Sequence, residues 1–182
     1  MNTNRRMGPK LYQELAAHGC LDAVIGLPNV AFTRTRLREQ MGRFSEHHIP
    51  FSLLMISLAA DKAFRAAHGQ AAAERMLQSA AQTLSNVLRP ADFLGCWERN
   101  ELLAILVGNR TKGSLAQPIA KFLGLSQIHW WGDSVPLSMV LAVAEPESGE
   151  TLESLLVRTQ AQLNNLETSK HLATAPCSQP ED

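Results

Sequence analysis

An arginine and an aspartate three residues apart, Arg89 and Asp92, head the stretch RPADFLGCWERNELLAIL (89–106). A guanidinium is a planar fork of donors that grips phosphate-like acceptors at two points, a geometry lysine does not reproduce. A carboxylate three residues on offers the complementary acceptor. The same two residues also have a plain structural use: a cation at a helix C-terminus suits the macrodipole, and aspartate after proline is ordinary turn chemistry. Further along, Glu98, Arg99, Asn100 and Glu101 crowd the tip of an expected hairpin, where a tight turn favours Asn-Gly. Glu101, a lone carboxylate on a strand edge, reads as part of a solvated face.

The remaining candidates carry less chemistry. His47 and His48 are adjacent at an expected helix end, where neighbouring side chains diverge, so they suit the helix dipole better than a shared metal. His68 and His129 lack partners at ligand spacing. Trp130-Trp131 before Gly132 has the faces to stack a base, although an edge strand with one indole packed inward is the simpler reading. Cys20, Cys96 and Cys177 are odd in number and scattered. They form neither a disulfide framework nor a zinc pattern, which suits a reducing cytoplasm.

These residues must be carried by a single domain. The chain has 182 residues, with 17 basic and 17 acidic side chains and no net charge. Such a balance steers the molecule globally neither to nucleic acid nor to acidic membranes, so any anion site must be local. The opening MNTNRRMGPK has no apolar segment behind its arginines and reads as no signal peptide. No apolar run approaches the roughly 18 residues of a spanning helix. A cytoplasmic protein without membrane insertion is expected.

Residues 9–18 read as a short lead-in helix ending near Gly19, and GLPN (26–29) as a turn. Asn29 is placed to N-cap a long amphipathic helix with Val30, Phe32, Leu37, Met41 and Phe44 at helical spacing. Pro50 opens FSLLMISLAA, a continuous apolar run suited to a buried central strand. The Ala-rich segment 69–88 is a helix stopped by Pro90, with Met76, Leu77 and Leu84 in its core. DFLGCW and ELLAILV form the hairpin. Residues 111–125 read as a helix containing Pro118, 135–144 as a strand, and 149–167 as a closing helix with Leu152, Leu155, Leu156, Leu163 and Leu166 inward. The expected organisation is a lead-in helix within 1–20, one domain over 21–170 and a frayed tail over 171–182. The fold class is α/β (α+β), a central mixed sheet covered by helices.

From about Leu21 to Ser169 this order resembles the GGDEF domain of diguanylate cyclases. LDAVIGLPNVAF is similar to that family's D-x-L-T-G-L-P-N-R-x-x-F, and PFSLLMISL to its first core strand. HGQAAAERMLQSAAQTLSNVLRPAD resembles the G-H-x-x-G-D helix region, LGCWERNELLAIL the signature hairpin, and VPLSMVLAVA the strand V-T-V-S-I-G-V-A. The resemblance implies a ferredoxin-like nucleotidyl-cyclase core. It also makes the departures informative. Glu98, Arg99, Asn100, Glu101 and Leu102 stand where the family has Gly, Gly, Asp or Glu, Glu and Phe. The family's glycines let the backbone approach a triphosphate, which a Cβ obstructs. Glu98 instead sets a carboxylate beside a polyanion, a repulsion on the order of 1 kcal/mol even in water. Ser57 and Asn100 fall on acidic metal ligands and Ala59 on the next aspartate, a poor cage for magnesium. Arg65 and Ala66 replace the guanine-reading Asn and Asp, and Glu167 replaces a late lysine near the phosphates. The expectation is a degenerate domain without catalysis and without bound magnesium.

By the same resemblance, the family's product-binding inhibitory site R-x-x-D ends five residues before the signature, the offset of Arg89 and Asp92 from Glu98. An arginine can fork onto guanine O6 and N7, and a carboxylate can accept from the Watson–Crick edge. This implies a cyclic di-GMP receptor acting on a protein partner or as a homodimer, with Lys121 as a possible auxiliary cation. Degenerate members of this kind regulate exopolysaccharide secretion, including cellulose in biofilms, or motility. The alternative is a ligand-free interaction or dimerisation module in which the pair is a relic. The lead-in helix is the expected partner contact.

Overall fold

The computed structural model describes residues 8–58, 66, 68–98, 101–108, 127–130, 133–136 and 139–174, with the backbone alone for 9, 127–130, 133–136 and 169–174. The lead-in segment forms α1 (Pro9–Ala17), followed by Gly19 at φ +64°. The connection to the next helix is tied from within. Asp22 Oδ1 accepts from the N–H of Val24 (3.0 Å) and Ile25 (2.8 Å), and Leu21 bridges Pro28. Asn29 caps α2 (Val30–His47) by accepting from the Phe32 N–H at 2.9 Å, and His48 ends it at φ +53°.

β1 (Phe51–Ser57) is buried along its whole length. Alternation along a strand sends Leu54 and Ile56 to one face and Phe51, Leu53 and Met55 to the other. Both faces are covered, which is why the sequence runs apolar without a break. One face is closed by α3 (Gln70–Val87), whose Ala72, Ala73, Ala80 and Ala81 are buried beside Met76, Leu77 and Leu84. On the other, Leu37 and Met41 of α2 meet Leu155 and Leu163 of α4 (Leu152–Thr174).

β2 (Phe93–Cys96), β3 (Glu101–Val107) and β6 (Val140–Ala144) complete a four-stranded sheet in the order β2-β3-β1-β6. This is the ferredoxin-like arrangement. The sheet expected to be mixed is antiparallel in every described pairing. The crossover through α3 does set β2 parallel to β1, but β3 lies between them, so no neighbours run the same way.

The strand expected over 135–144 is divided. Val135 and Pro136 belong to β5 (Asp133–Pro136), which pairs with β4 (Gln127–Trp130) in a separate hairpin, and only Val140–Ala144 joins the main sheet. Proline has no N–H to give a central ladder, so Pro136 suits the small hairpin. Two readings of the closing helix are corrected. It runs through Thr174, past the start expected for the tail, because nothing breaks it before Pro176. Leu166 is 37% exposed rather than inward. Its spacing sets the angle around the helix but not how far along the axis the sheet extends, and among the described side chains Leu163 is the last fully buried leucine. The expected helix over 111–125, with Lys121, lies outside the described residues.

Candidate functional site

Two ends of the β2–β3 hairpin carry the candidate residues. At the tip, the Glu101 carbonyl accepts from the Trp97 N–H (2.8 Å), and the Glu98 carbonyl from the Glu101 N–H (2.6 Å). Trp97 is buried, and the Arg34 guanidinium of α2 lies 4.7 Å from its ring centroid. The same guanidinium approaches the Glu98 carboxylate at 3.6 Å. Stacking and pairing together draw the first tip position onto α2. Arg99 and Asn100 lie outside the described residues.

Glu101 opens β3 directly opposite Ser57, the last residue of β1. It is not the solvated carboxylate expected from the sequence. One oxygen accepts from Gln160 Nε2 of α4 at 3.1 Å, and the other is buried without a hydrogen-bond partner among the described residues. Burial pushes the carboxyl above its ordinary range. The Gln160 bond opposes this, while the charges of Glu167 and Glu98 add to it. Folding therefore gathers Glu98, Glu101 and Glu167 on one edge, although 69 residues separate the first from the last. Among the described residues, no group of three or more His, Cys, Asp or Glu side chains is placed to hold a metal ion. Of the other expected site positions, Ala66 is exposed, and Ala59 and Arg65 lie outside the described residues.

At the opposite end, the chain leaves α3 through Leu88 and turns at Arg89–Asp92. The Arg89 carbonyl accepts from the Asp92 N–H (3.0 Å), and Asp92 Oδ2 accepts from the Arg89 N–H (2.8 Å). Asp92 Oδ1 accepts from the N–H of Val107, the last residue of β3, at 3.2 Å. The last β2–β3 pair is Phe93 with Ile105, so the carboxylate extends the ladder by one step. Asp92 is 8% exposed, whereas Arg89 and Pro90 are exposed. The corner thus combines a braced backbone with an exposed arginine residue.

Sequence reasoning missed Arg34, Gln160 and the Val107 N–H. Each reaches its partner from a different element, and no local pattern announces them. Cys20 and Cys96 are free thiols, and burial first, with the Asp22 charge adding to it, pushes the Cys96 thiol up to about 12. A buried thiol of that kind is inert.

The sheet order and the helices on both of its faces define a ferredoxin-like α/β domain. The chain belongs to the GGDEF family of cyclic di-GMP signalling: the family described as diguanylate cyclase, GGDEF domain, matches residues 20–171. The uncharacterized protein y4lL of Sinorhizobium fredii is 28% identical over 171 residues, which cover 90% of this chain and 20% of that protein. The chain spans about a fifth of that relative's length. The diguanylate cyclase SiaD of Pseudomonas aeruginosa, solved in complex with its activator SiaC, has a TM-score of 0.80 at 24% identity, over 90% of this chain and 64% of that one. The GGDEF domain of DgcB from Caulobacter crescentus, solved in complex with c-di-GMP, has a TM-score of 0.75 at 15% identity, over 82% and 91%. At these identities the structural likeness speaks for the fold. No helix among the described residues is long and apolar enough to cross a membrane.

Proposed function

We propose that this domain is a non-catalytic receptor for cyclic di-GMP that acts through a protein partner. The observation that carries the receptor reading is the Arg89 corner, an exposed arginine residue on a turn that Asp92 holds to the end of β3. An arginine on a fixed backbone loses less freedom when it grips a phosphate or a guanine edge than one on a mobile loop. Support comes from DgcB, solved with c-di-GMP on the same fold.

The absence of catalysis rests on the other end of the hairpin. Magnesium takes anionic oxygens in octahedral geometry. Across the β1–β3 ladder the facing pair is a neutral hydroxyl, Ser57, and a carboxyl, Glu101, already bonded to Gln160. The Glu98 carboxylate is paired with Arg34. This donor set does not fit the metal, and Glu98, Glu101 and Glu167 repel a triphosphate. The partner reading is supported by SiaD, solved with its activator. We assign the contact to α1, where Leu15 is buried but Leu11 is 48% exposed. Exopolysaccharide secretion and motility are the output classes proposed.

Asp92 also favours a second reading. Its carboxylate accepts two backbone N–H groups, as a purely structural residue would, so the domain would be a ligand-free interaction or dimerisation module. Calorimetry with cyclic di-GMP on wild type and Arg89→Ala separates the two. Heat from wild type that disappears in the variant is expected. No heat from wild type at high micromolar ligand would leave the interaction module as the better account.

A further inference from the structure

The two edges of the main sheet are finished differently. The Gly108 N–H donates to the Pro50 carbonyl at 2.9 Å, which sets the phase of the β1–β3 ladder. Even-numbered residues of β1 therefore bond to β3 and odd-numbered ones to β6. The hydrogen-bonded pairs of β6 are Ser57↔Val140, Met55↔Ala142 and Leu53↔Ala144, and Leu141 and Val143 turn their N–H and C=O groups away from the sheet. Among the described residues, no other segment pairs with that edge. The next carbonyl in the alternation, Glu145, accepts from Arg158 Nη2 of α4 at 2.8 Å, which closes the edge at that end. One turn further along the same flank of α4, Gln162 Oε1 is buried with no hydrogen-bond partner among the described residues. The opposite edge of the sheet is guarded: the outward N–H of Cys96 in β2 donates to the Pro28 carbonyl at 2.8 Å.

β6 also lacks the devices that keep natural edges apart, since its sequence VLAVA has no charge and no proline. We propose that β6 is where a second copy of this domain adds, its own β6 lying antiparallel across a two-fold axis at Ala142. In that register the outward groups are self-complementary. Leu141 of each copy meets Val143 of the other, for about four backbone hydrogen bonds. Both side chains lie on the α3 face, partly buried, so each pair is an apolar cross-strand contact, and no like charges oppose one another. On the other face two helices, α2 and α4, cover four strands. Each spans about two strand spacings, so the two copies of α4 lie about 10 Å apart, the distance of packed helices. The flank that carries Arg158 and Gln162 lines that seam. This surface is separate from the Arg89 turn and from α1, so it stands or falls apart from the receptor reading.

The test is sedimentation of the full chain without nucleotide over roughly 1–300 μM, the range in which a small interface associates. Amide hydrogen exchange is measured at both ends of that range. A mass rising to that of a dimer is expected. At low concentration the Leu141 and Val143 amides should exchange freely while Val140, Ala142 and Ala144, bonded to β1, are protected. At high concentration the two outward amides should slow by about tenfold or more. Val143→Pro removes an outward donor and leaves the β1 ladder complete, so it should return the chain to monomer with the β1-bonded amides still protected. A chain that stays monomeric at the highest concentration overturns the proposal. So does a dimer that survives Val143→Pro, or one in which Leu141 and Val143 keep exchanging freely, because the contact then lies elsewhere, as on α1. Where Val143→Pro does not fold, the exchange pattern of the wild type decides.

Discussion

Glu101 shows how far a single residue can depart from its local appearance. On a strand edge it reads as solvated, yet α4 covers it and Gln160 takes one of its oxygens. Its carboxyl sits above the ordinary range, chiefly through burial, with the Gln160 bond opposing and Glu167 and Glu98 contributing. A carboxyl raised on folding gives stability that is fully present below its unfolded value, about 4.3, and is lost as pH rises through the folded value. At pH 7 the ionised group is therefore a burden. Glu101→Gln should raise Tm by about 1–2 °C at pH 7 once solvent screening is allowed for, and the gain should fade as pH approaches 4. Melts of both proteins across that range check it. A lower Tm at pH 7 would mean that the charge serves a purpose, such as holding a cation. The contrast with Asn29 is physical. Its cap bond reaches Phe32, three residues on, so sequence alone places it, whereas Gln160 lies 59 residues from Glu101.

Among the elements, α2 and β2 approach closely at Gly95. A Cβ on Gly95 would fall inside the Thr33 side chain and lie 3.1 Å and 3.2 Å from atoms of the Phe93 ring. Gly95 is needed for close approach and not for an unusual φ, since it is absent from the positive-φ glycines. Thr33 is fully buried, and its hydroxyl donates to the Pro28 carbonyl at 3.4 Å, so it has little room to yield. Gly95→Ala should cost about 2 kcal/mol, or roughly 6 °C in Tm. Adding Thr33→Ala should recover much of that loss, and a double-mutant cycle by thermal melting measures the coupling. Equal losses with and without Thr33→Ala would place the strain elsewhere. The helices and strands of the main sheet and its two covering layers were legible, because burial on one or both faces writes its period into the sequence, whereas the separate β4–β5 hairpin was not among the expected elements. What period cannot reveal is length along an axis, hence the misplaced Leu166, or which sheet a strand joins, hence the division at Pro136.

For the whole molecule, the decisive question is which ligand stabilises it. Only a ligand that binds the folded state raises Tm, by RT ln(1 + [L]/Kd), about 2.7 kcal/mol at a hundredfold excess. Cyclic di-GMP should raise Tm on that scale, and GTP with magnesium should not, given the three glutamates gathered at the hairpin tip. A shift with GTP alone would reverse the proposed order of ligands. The sequence by itself determined the run of helices and strands, the Asn29 cap, the hairpin and the charges set at its tip, because these follow from local spacing and residue type. Only the tertiary structure decided that Glu101 is half-buried against α4, that Arg34 draws Glu98 onto α2, and that Asp92 ties the Arg89 turn to the end of β3. Those contacts join elements far apart in the chain, and their energies depend on burial, which no local pattern encodes.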